Sequence, residues 1–132
     1  MAAALATFGA IWAGHVGVRL IEFRARRLGP AAAMLVAAGL GLEVLAARSG
    51  APPIAAAEGI VGMTLIFDAF ELRRQFRRVR EGRARANPLN PRHAPHIASG
   101  RALVGDPLGR DGPGRRGHDP SDRHGRAERP VP

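Results

Sequence analysis

Seven titratable side chains sit within or at the edge of long apolar stretches: His15, Arg19, Glu22, Glu43, Glu58, Asp68 and Glu71. Charged groups in such surroundings are costly, face protein or water, and mark proton or ion paths when they have a function at all. His15, Arg19, Glu22 and Arg26 recur at i, i+4, i+7 and i+11, one face of a helix. As a stripe they could pass protons; the simpler reading is an interface at which Arg19 to Arg26 snorkel outward and only His15 lies inside. Glu43 and Glu58 are equidistant from the turn at Gly50-Ala51, so an antiparallel pair of helices brings them to one level. Two carboxyls at one depth in low dielectric would share a proton, unless they face different sides. Counting back from Glu22 and Glu71 puts Arg19 and Asp68 at one depth on parallel helices, where they are expected to pair.

The elements that position these groups follow from composition. Of 60 hydrophobic residues, 46 fall in residues 1–72, so a mean hydropathy near zero averages a membrane-like half with a hydrophilic half. The expected fold is all-α with three transmembrane helices, at about 2–21, 31–47 and 54–72. The run from Ile54 to Phe70 spans ~26 Å at 1.5 Å per residue, close to the hydrocarbon thickness. Leu72, Phe76 and Val79 continue it as a basic amphipathic turn to about residue 82, where Gly82 is a stop. Leu28-Gly29-Pro30 and Ser49-Gly50-Ala51-Pro52-Pro53 read as the two breaks. Charge lies behind the first apolar stretch, not ahead of it, so an uncleaved span is expected in place of a signal peptide.

Orientation follows from arginine. The first loop holds Arg24, Arg26 and Arg27, the second only Arg48, and Arg73, Arg74, Arg77, Arg78, Arg80, Arg83 and Arg85 follow the third span. The positive-inside rule then places the N-terminus outside, the C-terminus in the cytoplasm and the chain in the cell membrane. Those seven arginines are expected to meet anionic headgroups. Residues 1–86 are read as the membrane domain. From residue 87 to 132 the chain is rich in proline and glycine and lacks aromatic residues, so it is expected to be disordered.

Several classes of chemistry are absent from the sequence. With no cysteine there is no disulfide or thiolate site. His93 and His96 have an H-x-x-H spacing, but Pro95 disfavours a helix and no acidic partner is near in sequence, so no metal is assigned; His118 and His124 stand apart. Arginine without aromatic residues does not make a nucleic-acid site. Ser49 and Thr7 have no general base beside them, so no enzyme is expected and no cofactor. Small-residue ladders, Ala6-Ala10-Gly14, Ala33-Ala37-Gly41 and Ala51-Ala55-Gly59, permit close helix approach, within the chain or in a homo-oligomer or larger membrane assembly.

Gly14-His15, Glu22, Glu71-Leu72, Gln75, Arg78-Val79-Arg80-Glu81-Gly82 and Asn87-Pro88 occur in an order that resembles a family of small multi-pass prokaryotic membrane proteins catalogued as domain of unknown function 4491, over roughly residues 5–90. Val16 and Arg83-Ala84 depart from that pattern, where family members often carry a proline and aromatic residues. The resemblance implies a membrane location and no activity. The expectation is a non-catalytic membrane scaffold or accessory subunit, with a homo-oligomeric proton or ion conductor using His15, Glu43 and Glu58 as the alternative.

Overall fold

The structure, a computed structural model, describes residues 1–110 and the backbone of Arg115–Arg116. Three long helices dominate it: α1 (Ala2–Arg24), α2 (Leu28–Arg48) and α3 (Pro52–Arg80). All three are long and apolar enough to cross a membrane. Two helix starts use proline. Pro30 falls in the first turn of α2, and Pro52 and Pro53 open α3, positions whose N–H groups have no partner within the helix. At 29 residues α3 is the longest. It measures ~44 Å at 1.5 Å per residue, so its last two turns extend past a ~30 Å hydrocarbon layer.

Helix α3 is central. It packs against both α1 and α2, which hardly touch each other. The α2–α3 crossing is a backbone contact: a Cβ on Gly39 would lie 2.6 Å from the Gly62 carbonyl oxygen, and one on Gly62 would lie 2.9 Å from the Gly39 carbonyl oxygen. The α1–α3 crossing depends on Gly14, whose missing Cβ would sit 2.6 Å from Asp68 Oδ2. Of the ladder glycines, Gly14 and, at 3.8 Å from Glu43, Gly59 lie at these contacts, whereas Gly41 meets nothing within 4 Å. Azimuth selects among such ladders, and spacing alone does not give it.

Large apolar side chains cover the outside of all three helices. Phe8, Ile11 and Trp12 on α1, Met34 and Leu40 on α2, and Phe67 and Phe70 on α3 are each more than half exposed. In water such a surface would aggregate; in hydrocarbon it is the required one. The protein is a multi-pass membrane protein.

Helix α3 ends in a Schellman motif. Gly82 adopts φ +70°, its N–H donates to the Val79 carbonyl, and the Arg83 N–H donates to the Arg78 carbonyl. A side chain at 82 would also collide with the Arg101 carbonyl, so glycine is needed for both conformation and space. Beyond it the chain turns back. Strand β1 (Arg85–Ala86) pairs in parallel with β2 (Leu103–Val104), which pairs antiparallel with β3 (Arg115–Arg116), and α4 (Ala94–Ala98) lies between β1 and β2. Ala86 and Ala102 are fully buried against Val79, with Ala84 and Ile97 packed around them.

This fold-back corrects the expectation of disorder for residues 87–104: Asn87, Asn90 and Arg92 hydrogen-bond to the end of α1, and His93, His96 and Ala102 pack on Phe76 and Val79 of α3. The part of that expectation that falls on residues 111–114 and 117–132, with His118 and His124, lies outside the described residues.

Candidate functional site

The C-terminus of a helix leaves its last carbonyls without partners, and in α1 those carbonyls recruit the fold-back segment. Asn87 Nδ2 donates to Phe23 O at 3.0 Å, and Asn90 Nδ2 donates to Phe23 O and Ala25 O at 3.0 and 3.1 Å. Arg92 donates through Nε to Ala25 O at 2.9 Å and through Nη2 to Glu22 O at 2.7 Å. A cationic side chain at a helix C-terminus also meets the favourable end of the helix dipole.

Glu22 stands at the middle of this cap. It is 1% exposed, and Oε1 accepts from Arg92 Nη2 at 3.2 Å and from His93 Nε2 at 2.8 Å. The backbone N–H of Asn87 donates to His93 Nδ1 at 2.8 Å. A backbone N–H can only donate, so Nδ1 is the acceptor nitrogen and Nε2 carries the proton given to the carboxylate. Arg92 therefore supplies the positive charge and His93 a neutral donor. Phe76 of α3 holds both: its ring stacks on His93 at 6.1 Å, meets His96 edge-on at 5.8 Å, and lies 4.7 Å under the Arg92 guanidinium. His96 is pushed below its ordinary value by burial first and then by Arg80, Arg101 and His93.

The helix 1 stripe is thereby divided. His15 is exposed, Arg19 half-buried, Glu22 buried, and Arg26 lies past the helix end and is exposed. Glu22 does not snorkel, because residues 87–93 cover it. The expected Arg19–Asp68 pair is not made. Arg19 reaches His15 Nε2 at a long 3.5 Å, and Asp68 turns to the space left by Gly14. Both nevertheless line one cleft of about 180 Å³ between α1 and α3, with His15, Glu71, Gln75 and Arg78. Both residues lie at the α1–α3 interface, but Asp68 rests against Gly14, five residues before Arg19 on α1, so the two are offset along the helix axis.

Farther along this end, the cleft meets a larger cavity of about 590 Å³, which shares Arg19, Gln75 and Arg78 with it. Arg83, Arg85 and the 107–109 turn close its sides. Arg78 is 3.4 Å from Glu71 Oε1 and donates weakly to Gln75 Oε1 at 3.4 Å. Arg83 pairs with Glu81, and that hydrogen bond holds the Glu81 carboxyl below its ordinary value. Asp106 accepts from Arg110 Nε and Nη2 at 2.8 and 3.0 Å, which lowers its carboxyl to about 2. Arg73, Arg74, Arg77 and Arg80 point outward and are exposed.

At the opposite end, the carboxylate of Glu43 rests on α3, where a Cβ on Gly62 would meet its Oε1 at 2.7 Å. Glu43 Oε1 and Glu58 Oε2 are buried without a hydrogen-bond partner, and no hydrogen bond joins the two residues. Among the described residues no group of three His, Asp or Glu side chains is placed to hold a metal. His93 and His96 instead flank Phe76.

Asn90, Arg92 and His93 were missed as functional residues by sequence reasoning. The available signal was Glu22 and Asn87, two members of the resemblance, which His93 bridges here over more than sixty positions of chain. No curated protein and no solved structure matches the chain. The family model described as a domain of unknown function (DUF4491) matches residues 1–92, which take in all three membrane helices, Glu22 and Arg92. The chain belongs to the DUF4491 family.

Proposed function

We propose that this protein is a non-catalytic scaffold or accessory subunit of the cell membrane, with its N-terminus outside and its Arg-rich end in the cytoplasm. Orientation rests on the loop arginines, few at Arg48 and dense after Leu72. The observation that carries the role is the use made of Glu22. A buried His–carboxylate pair is the kind of arrangement that activates a nucleophile. Here His93 is 0% exposed, its second nitrogen is occupied by Asn87, and no hydroxyl among the described residues hydrogen-bonds to it. Among the described residues the hydroxyls are spent locally: Thr7 and Thr64 on carbonyls of their own helices, Ser49 on Ala51 O and Ser99 on His96 O. Such a network fixes one chain segment to another. The exposed Arg73, Arg74, Arg77 and Arg80 suit anionic headgroups, and the apolar helix faces suit lipid or further membrane helices in a homo-oligomer or larger assembly.

A second reading, proton or ion conduction through His15, Glu43 and Glu58, is favoured by one observation, the partnerless oxygens of Glu43 and Glu58. Proteoliposome flux separates the two. The scaffold reading expects proton and cation leak equal to that of empty vesicles; leak that disappears in Glu43→Gln would replace it with conduction. Orientation is checked by a reporter active only in the cytoplasm, which should work at the C-terminus and fail when inserted at Gly50.

A further inference from the structure

We infer that the cavity formed by Arg19, Gln75, Arg78, Arg83 and Arg85 binds a phosphate-bearing anion, supplied either by an acidic lipid head or by a soluble phosphate compound. Its arginines come from separate parts of the chain: Arg19 from α1, Arg78 from α3, Arg83 and Arg85 from the segment after the Gly82 turn. The wall opposite is the loop around Leu108, held in shape by the Asp106–Arg110 fork. No carboxylate is among the described residues that line it.

Charge is the strongest argument. Guanidiniums drawn together beside a membrane repel one another in a medium that screens them poorly, and an uncompensated buried cation is expensive. Arg78 and Arg83 are partly balanced by Glu71 and Glu81. Arg19 is not: its one hydrogen bond is the long contact to His15, and it forms no ion pair among the described residues. Gln75, 6% exposed, lends its Oε1 to Arg78, which leaves its NH2 group as a further donor. Planar guanidiniums and an amide donor around one volume are the groups that recognise phosphate oxygens. At about 590 Å³ the cavity has room for more than a bare phosphate. The four exposed arginines on α3 would raise the local concentration of any such anion. Arginines that only snorkel would project outward separately, as Arg73 does; these line one cavity. The inference holds whether the protein is a scaffold or a conductor.

The test uses the full chain. In neutral detergent, thermal unfolding is followed with inorganic phosphate at constant ionic strength. In parallel, nanodiscs of phosphatidylcholine with and without phosphatidylglycerol are prepared, and native mass spectrometry counts retained phosphatidylglycerol. Arg19→Gln and Arg78→Gln should weaken binding by about tenfold or more, the scale of one lost charge-assisted contact, whereas Arg73→Gln, outside the cavity, should bind like the parent. Stabilisation by phosphate in detergent that is lost in Arg19→Gln identifies a soluble phosphate compound. No response to phosphate, with phosphatidylglycerol retained by the parent and lost from Arg19→Gln, identifies the lipid head. Leu108→Glu sets a carboxylate in the wall of the cavity, where it competes with the anion for the guanidiniums, and should weaken binding of the probe that the parent retains. Equal behaviour of Arg19→Gln, Arg78→Gln and Arg73→Gln in both arms overturns the inference, as does a parent protein that responds to neither probe.

Discussion

Where α1 and α3 end, Val18, Glu22, Ala69, Leu72, Gln75, Val79, Ala86, Asn90, His93 and Ala102 are all buried; toward the α2–α3 turn, Gly39 and Gly62 are the only residues in that class among those described. The first region is assembled as a soluble protein is, with a small apolar core under a hydrogen-bonded polar cap, in which Arg92 Nη1 is buried without a partner. The second is assembled as a membrane protein is, from glycines that let backbones touch, with apolar side chains turned outward. Water explains the contrast. Outside the hydrocarbon, burial of apolar area stabilises and unpaired carbonyls need partners; inside it, the helices satisfy their own backbone and only packing remains. One chain of 132 residues uses both solutions.

The contrast is broken most severely at Glu22. Glu22→Ala should cost about 3–5 kcal/mol, since it strands the Arg92 guanidinium in a covered site. Glu22→Gln, which keeps an acceptor for His93 Nε2, should cost clearly less. The measure is the fraction of folded protein surviving heating in detergent, together with protease cutting within residues 87–104. Equal losses for the two variants would show that the carboxylate charge does not matter there.

At the other end, Gly62→Leu should cost about 1–3 kcal/mol by forcing α2 away from α3. Gly41→Leu, on the same hairpin with nothing within 4 Å, should leave the melting curve unchanged. A matched loss at both positions would mean that the Gly39–Gly62 contact does not set the crossing.

Acid should act on the cap alone. His96 has its folded-state value below the ordinary 6.5, so the unfolded cap binds more protons. The contribution of neutral His96 is complete above 6.5 and declines as pH falls from there toward the lowered folded value. Protease cutting in residues 87–104 should therefore quicken between about pH 7.5 and 5.5, while the three helices stay protected. His96→Asn should flatten that dependence.

The smallest effect is a coupling expected to vanish. Arg19→Ala and Asp68→Ala share a cleft without an ion pair, so the loss in the double variant should equal the sum of the singles within about 0.5 kcal/mol. A double variant markedly better than that sum would show that the two attract across the cleft.

Legibility followed the same division. The membrane helices were read from apolar length, the α3 extension from Leu72, Phe76 and Val79, and its end from Gly82, because each of these signals is local in sequence. The cap escaped notice because a composition test counts apolar area. Residues 87–93 are held instead by Asn87, Asn90 and Arg92 on carbonyls that α1 cannot satisfy, with small Ala86 and Ala102 filling the space. Within the candidate sites, residue counting placed Arg19 and Asp68 on neighbouring helices, whereas their partners depend on the axial stagger of α1 and α3, which sets Asp68 against Gly14 and which counting does not fix across the 27-residue gap between the helices.

Attachment of α1 to residues 87–93 also imposes an order on biosynthesis. The first span leaves the ribosome long before the asparagines, arginine and histidine that complete its end. Until they arrive, water must serve the carbonyls of Glu22, Phe23 and Ala25, and the Glu22 carboxylate must stay hydrated at the bilayer surface. Helix α1, made before α2 and α3, is thus the last of the three to be locked.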